Sequence, residues 1–366
     1  MQGASPSLAL PLLDGLVSGW PQGTAPNIGA SEKQSLERLL QALPESLRDR
    51  LLALAQRWGR TDIFGESISA ITDSLKNQVA DPGAADAQRI AAAKRLLGLD
   101  GKSEMVRLVL QQVTLLTPPE LATGLMGALT ESRDRETGRE LTGHWAQLTP
   151  AVRRAAIATL MRRAEWAHAL LDAIDKGNIS RTDLAVEQWS QLKLNPDRGV
   201  ARRAERLAAI AGTISADRQE IVNKLLPLAK EKGDATRGKE VFTANCAVCH
   251  AINGQGGKVG PDLSGIAARD RSEILIDILD PNRSVEANYR LWNVTTKSGD
   301  TFSGRLETET QTSVEILDTT GQKHAIQRKD IGTMEGTQLS IMPVGLEALP
   351  PDDLKSLLEF LAQAHP

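Results

Sequence analysis

The stretch CAVCH, residues 246–250, holds both of the chain's cysteines, three positions apart, and follows them at once with a histidine. Whatever engages these side chains together constrains the surrounding fold more than any other feature. A disulfide between Cys246 and Cys249 would close only two intervening residues and restrict little of the unfolded chain. A thioredoxin-type redox pair belongs beside a βαβ unit, and nothing before Cys246 reads as a strand. Zinc would need a further ligand beyond Cys246, Cys249 and His250, and no second Cys pair or HxxxH cluster supplies one. The spacing points to covalent haem. Two thiols three apart form thioethers with the porphyrin vinyl groups, and the next residue sets an imidazole under the iron.

The flanking residues carry a family resemblance. GDATRGKEVFTANCAVCHAINGQGGKVGPDLSGI, residues 233–266, resembles the first half of a class I cytochrome c. In that family an N-terminal helix bearing a small and aromatic pair, here Gly238 and Phe242, crosses a C-terminal helix. The chain ends suitably: PDDLKSLLEFLAQ places Leu354, Leu357, Leu358 and Leu361 at helical spacing with Phe360 beside them, and Asp352 and Asp353 suit its first turn. Four glycines in NGQGGKVGPDL let backbone approach a flat porphyrin face. The resemblance makes GPDL a landmark, with Gly260, Pro261 and Leu263 at the cofactor. It also implies that the Pro261 carbonyl accepts the second ring N–H of His250.

A sixth ligand is expected from Met334 or Met342, the methionines between GPDL and the last helix. Pro343 favours Met342, because it keeps the preceding residue out of the helical region and stiffens the loop that presents the thioether. Met334 reads as a loop or core residue. Met342 lies 92 positions after His250, more than a compact cytochrome of this class requires. Residues 289–331 fill the gap with β-rich runs separated by turn compositions, so an antiparallel insertion of three or four strands is expected, as a cover for one haem edge or a docking platform.

The order GDATRGKEVF, CAVCH, VGPDLSGI, ILDPNRSV, Tyr289 to Gly299, Asp330-Ile331 and Ser340 to Leu346 resembles the haem-binding domain of multidomain cytochromes of the Planctomycetes and Verrucomicrobia. Upstream, residues 1–230 read as amphipathic helices near 31–43, 44–58, 66–79, 84–97, 103–114, 118–131, 137–148, 150–161, 163–175 and, with a break, 200–228. Irregular recurrence of their apolar pattern gives a degenerate HEAT-like solenoid. The expected architecture is therefore mainly α: a helical domain over 1–230 and a cytochrome c domain over 231–366 with the β insertion. Trp145, Trp166, Trp189 and His168 read as packing residues.

Composition, 41% hydrophobic and 24% charged, allows two cores. Residues 232–366 carry 14 Lys and Arg against 19 Asp and Glu, the remainder 29 against 27. The acidic haem part disfavours nucleic acid and favours a basic docking patch on a partner. No run of 18 apolar residues spans a membrane, and LALPLLDGLVSGW reads as a first helix, lacking a signal peptide's basic leader. Haem of this type is installed outside the bacterial cytoplasm, so an exported, periplasmic location is expected, with Met1 opening a fragment of a longer protein. The expected function is electron transfer by one His250/Met342-ligated haem c, accepting electrons from a dehydrogenase attached or separate. No residue is expected to act as a catalyst. The alternatives are a haem-based sensor and, with His324 as a poorly placed acid–base candidate, a peroxidase-like enzyme.

Overall fold

The computed structural model describes residues 6–21, 23–209, 214 and 216–365. It falls into two compact units, Met1–Gln112 with Gly124–Glu140, and Val113–Thr123 with Leu141–Pro366. The division thus lies within the helical part, earlier than the composition change near 230.

In the first unit α1 (Pro6–Gly19), α2 (Ala30–Ala42) and α3 (Glu45–Trp58) bury Leu13, Leu40, Leu51, Leu52 and Ala55 in one cluster. Gly59, at φ 72°, ends α3 in the left-handed conformation that glycine adopts without strain. Then follow α4 (Gly65–Ala80), α5 (Asp86–Leu99) and α6 (Ser103–Gln111), where Met105, Val106, Val109 and Leu110 form the buried stripe their spacing predicts. α7 (Pro119–Ala128) and α8 (Thr137–Gly143) come next. The helix expected over 137–148 stops early: beyond Gly143 only a short turn, Trp145–Gln147, follows.

The second unit continues with α9 (Pro150–Leu160), α10 (Ala164–Asp175), α11 (Val186–Lys193), α12 (Arg198–Ala208) and α13 (Gln219–Leu225). Residues 210–213 and 215, in the break expected within 200–228, lie outside the described residues. α11 was not foreseen from the sequence. Trp145, Trp166 and Trp189 are buried here, as packing residues should be.

α14 (Ala235–Asn245) and α16 (Pro351–Leu361) make the anticipated crossing. A Cβ on Gly238 would fall on the Ser356 carbonyl, so only glycine lets the backbones approach this closely. The Phe242 and Phe360 rings pack 5.5 Å apart at 48°. Around them Val241, Leu357, Leu358 and Leu361 form the core with α15 (Arg271–Leu279), a helix absent from the sequence expectation.

Between α14 and α15 a two-rung ladder pairs β1 (Ala251–Ile252) with β2 (Gln255–Gly256). After α15 the chain builds an antiparallel sheet of β3 (Arg290–Thr296), β4 (Thr301–Glu309), β5 (Ser313–Leu317), β6 (Lys323–Gln327) and β7 (Ile331–Ser340), ordered β6-β5-β4-β3-β7. The insertion therefore has five strands where three or four were expected, and it runs to Ser340. β3 alternates, with Arg290, Trp292 and Val294 buried. Trp292 stands opposite Gly304 on one side and Gly336 on the other, and a Cβ at Gly336 would come within 2.9 Å of the indole. Gly336, one of the two glycines that make β7 look like a loop, accommodates that ring.

A buried charge cluster ties this sheet to the helices of the same unit. Asp183 accepts a hydrogen bond from Trp145 Nε1 at 3.0 Å. It lies 3.0 Å from Arg290 and 3.8 Å from Arg153, with all three side chains at most 6% exposed. One carboxylate thus serves two guanidiniums. Burial is the main reason that Arg153 is pushed down to about 10, and Arg290 adds to it.

Candidate functional site

Asp234 caps α14 by accepting hydrogen bonds from the Thr236 and Arg237 N–H groups, and the helix runs directly into the two thiols. Cys246 N–H donates to Phe242 O at 2.8 Å, and Cys249 N–H and His250 N–H both donate to Cys246 O, at 3.0 and 2.9 Å. This tight turn brings Cys246, Cys249 and His250 to the wall of one cavity of about 580 Å³.

His250 Nδ1 lies 2.9 Å from Pro261 O. Since a carbonyl only accepts, Nδ1 carries the proton and Nε2 keeps its lone pair. Burial lowers the His250 pKa, opposed by that hydrogen bond, so the ring is neutral near pH 7. A Cβ on Gly260 would sit 2.8 Å from His250 Nδ1, and one on Gly257 would strike the Val248 carbonyl. These glycines close the loop onto the imidazole, and Gly260 N–H donates to Cys249 O at 2.8 Å.

Both thiols are free. Burial, with a smaller contribution from Cys249, pushes Cys246 up to about 11, and burial raises Cys249. Protonated thiols are the reverse of what an attacking redox pair needs. Among the described residues no three His, Cys, Asp or Glu side chains converge as a metal cage.

Met342 lines the same cavity. Its loop leaves β7 with Ser340 N–H on Asn282 Oδ1 at 2.8 Å, Ile341 N–H on Tyr289 O at 2.9 Å and Met342 N–H on Ser340 Oγ at 3.1 Å. Met334 is elsewhere: it pairs with Val294 inside the sheet and is 6% exposed, packed with Trp292 and Ile331. Gly260 and Pro261 also line the cavity, whereas Leu263 packs against the helical core around Leu279.

Several wall residues were not assigned to the cofactor from the sequence. Tyr289, Ile341 and Leu346 give the cavity apolar surface. Thr319, in the β5–β6 turn, brings its carbonyl 3.7 Å from Cys249 Sγ. Arg181 and Thr182 come from the segment after α10, and Thr182 Oγ1 donates to Val285 O at 2.5 Å. The family-like spacing of GPDL and SIMPVGL could have led to their neighbours, but Arg181 and Thr182 carry no local signal.

Residues 235–290 match the family described as Cytochrome c. A cytochrome c-553-like protein of Synechocystis sp. is 55% identical over 38 residues, 10% of this chain and 35% of that protein. Cytochrome c of Cochliobolus lunatus is 40% identical over 45 residues, covering 12% and 42% of the two chains. Cytochrome c of Arabidopsis thaliana is 39% identical over 44 residues, covering 12% and 39%. The chain thus spans less than half the length of these curated relatives. A cytochrome c domain lies at 235–290, and that family implies one covalently bound haem c, haem-based electron transfer and a redox partner. The cavity fits such a group: two thiols on one turn, a neutral imidazole with a free lone pair, a thioether sulfur, and a wall that joins apolar side chains such as Val259, Ile341 and Leu346 to a charged edge of arginines and carboxylates. Among the described residues no helix is long and apolar enough to cross a membrane.

Proposed function

We propose that the chain is a one-electron carrier whose haem c is tethered by Cys246 and Cys249 and ligated by His250 and Met342. The observation that carries this reading is that all four side chains line one cavity, while the competing sulfur of Met334 is committed to the sheet core. When bound, the group supplies reversible Fe(II)/Fe(III) chemistry. The chain's own part is positional. Pro261 fixes the imidazole plane and raises its basicity, and the Met342 loop holds a soft ligand that favours the reduced state. The sheet acts as a cover, since Val259, Leu317 and Ile341 form an apolar cluster against Cys249 and Tyr289. Limited water access also raises the potential.

The same reading makes a dehydrogenase the electron donor, in line with the multidomain cytochromes that the sequence resembles, and places the chain in the periplasm, where covalent haem of this kind is installed. It also takes the packing of α4 on α5 within the first unit, and of α9 on α10 and α11 on α12 within the second, as degenerate HEAT-like repeats.

Met342→Ala tests the ligand set. The ferric protein should lose its methionine-to-iron charge-transfer band and become high spin, with a lower reduction potential, while Met334→Ala leaves the spectrum unchanged. The opposite pattern would hand the ligand role to Met334. Insensitivity to both would favour a sensor with an exchangeable site.

A further inference from the structure

Haem brings two propionates with it, and an anionic group placed in a partly buried cavity needs cationic partners. Among the described residues three cations line the cavity: Arg181, Arg269 and Arg283. Two are already engaged. Arg269 pairs with Asp277 at 2.7 Å, and Arg283 pairs with Glu273 at 2.6 Å and Asp277 at 2.7 Å. Asp280 and Glu286 line the cavity as well, so its wall carries four carboxylates before any propionate enters.

Arg181 differs from the other two. Among the described residues it has no carboxylate partner, and its guanidinium reaches only the Leu207 carbonyl, at 3.5 Å. Burial without a compensating anion lowers its pKa. Its backbone is nevertheless held firmly. Arg181 O accepts from Trp189 Nε1 at 3.2 Å, Thr182 is bonded to Val285, and Asp183 is locked between Arg153 and Arg290. A cation whose main chain is fixed and whose head lacks an anion is a prepared anion site.

We propose that Arg181 binds a haem propionate, so that the helical segment preceding the cytochrome c match contributes directly to the cofactor site. This rests on the haem reading above and deepens it. Arg181 is a positioning residue: its positive charge keeps the propionate ionised, orients the porphyrin in its plane and offsets the four wall carboxylates. Its removal therefore lowers the reduction potential, because the ferric state is no longer disfavoured by that charge.

The test uses the intact chain with haem attached, comparing Arg181→Gln with Arg202→Gln, an exposed arginine outside the cavity that controls for the same loss of charge. Resonance Raman spectra in the propionate bending region, and the pH window over which the potential falls as the propionate ionises, are recorded for each. Arg181→Gln should shift the bending mode, move that window to higher pH and lower the potential, while Arg202→Gln matches the parent. An unchanged bending mode and window in Arg181→Gln overturn the proposal, even if the potential moves. Should that variant fold poorly, Arg181→Lys keeps the charge but loses the planar fork, and it is read on the same two signals. Haem staining on denaturing gels and the methionine-to-iron band report on the haem reading separately, so its failure cannot be mistaken for failure at Arg181.

Discussion

Glu347→Gln should loosen the loop that presents Met342. On the strand side this loop is anchored by Ser340 and Ile341, and on the helix side by Glu347, whose Oε2 lies 2.6 Å from Arg218. Arg218 also donates twice to Leu279 O, at 3.0 and 2.8 Å, so its position does not depend on the carboxylate. The two side chains are 11% and 23% exposed, intermediate between a surface pair and a buried one. A charge-assisted hydrogen bond in that setting contributes about 1.5 kcal/mol, above the fraction of a kcal/mol typical of exposed pairs. The amide keeps the shape and loses the charge, so most of that contribution goes. At roughly 1.4 kcal/mol per factor of ten, the open loop becomes about tenfold more populated. An external ligand that needs the open loop then binds about tenfold more tightly.

The assay is an optical titration of the ferric protein with imidazole at pH 7. Glu359→Gln is the control, since Glu359 makes a comparable 2.8 Å pair with Arg271 but lies on α16, away from the loop. The pH dependence has a definite sign. The hydrogen bond from Arg218 is the main reason that Glu347 is held below its ordinary pKa. Its contribution is therefore complete above the unfolded-state value of about 4.3 and fades as pH falls through the lower folded value. The parent's methionine-to-iron band should weaken over that acid range, and Glu347→Gln should lack the step. Unchanged imidazole affinity in Glu347→Gln, or an equal gain in Glu359→Gln, would refute the anchor.

Joint replacement of Cys246 and Cys249 by Ala should abolish the haem-stained band on denaturing gels, and a retained band would mean attachment elsewhere. Asp183→Asn leaves two buried guanidiniums without a counter-charge and should destabilise the second unit by about 3–5 kcal/mol in denaturant unfolding; a loss under about 1 kcal/mol, the range of an exposed pair, would mean the cluster is solvated. Gly238→Ala drives a methyl into the Ser356 carbonyl and should cost about 2–3 kcal/mol, because α14 and α16 must separate to accept it. A neutral result would place slack at that crossing.

What could be read from the sequence was what local spacing encodes. CAVCH and the leucine stripe of α16 are patterns contained in a few residues, whereas Gly238 and Phe242 were legible through the resemblance to class I cytochromes c, since their partners Ser356 and Phe360 lie at the far end of the chain. α15 escaped because it is short and five of its nine residues, Ile274, Leu275, Ile276, Ile278 and Leu279, are buried, so that its polar face is reduced to Glu273 and Asp277 with the first-turn residues and the helical period is faint. β7 escaped because Gly332 and Gly336 mimic a turn, and pairing with β3 overrides that preference. Leu263 packs against the same core as Cys246 and Leu346. Asp183 and Arg181 were out of reach for a different reason. Their meaning lies in Arg290 and in a cavity built by residues far along the chain, and no short window contains both sides.

These long-range contacts bear on how a carrier would keep its iron six-coordinate through each redox cycle. An electron transfers fastest when the ligand geometry hardly changes, so the sulfur must be held by more than a flexible loop. Here the loop around Met342 is fixed from three directions: by Asn282 just after α15, by Tyr289 at the entry to the sheet, and by Arg218 at the start of α13. The sheet is in turn held through Arg290 to Asp183, and Arg218 belongs to the same helical part that supplies Asp183. The methionine loop therefore leans in part on the helices that precede the haem motif. With the ligand set proposed above, the part of the second unit ahead of Ala235 would help clamp the Met342 loop as well as neighbour a redox domain.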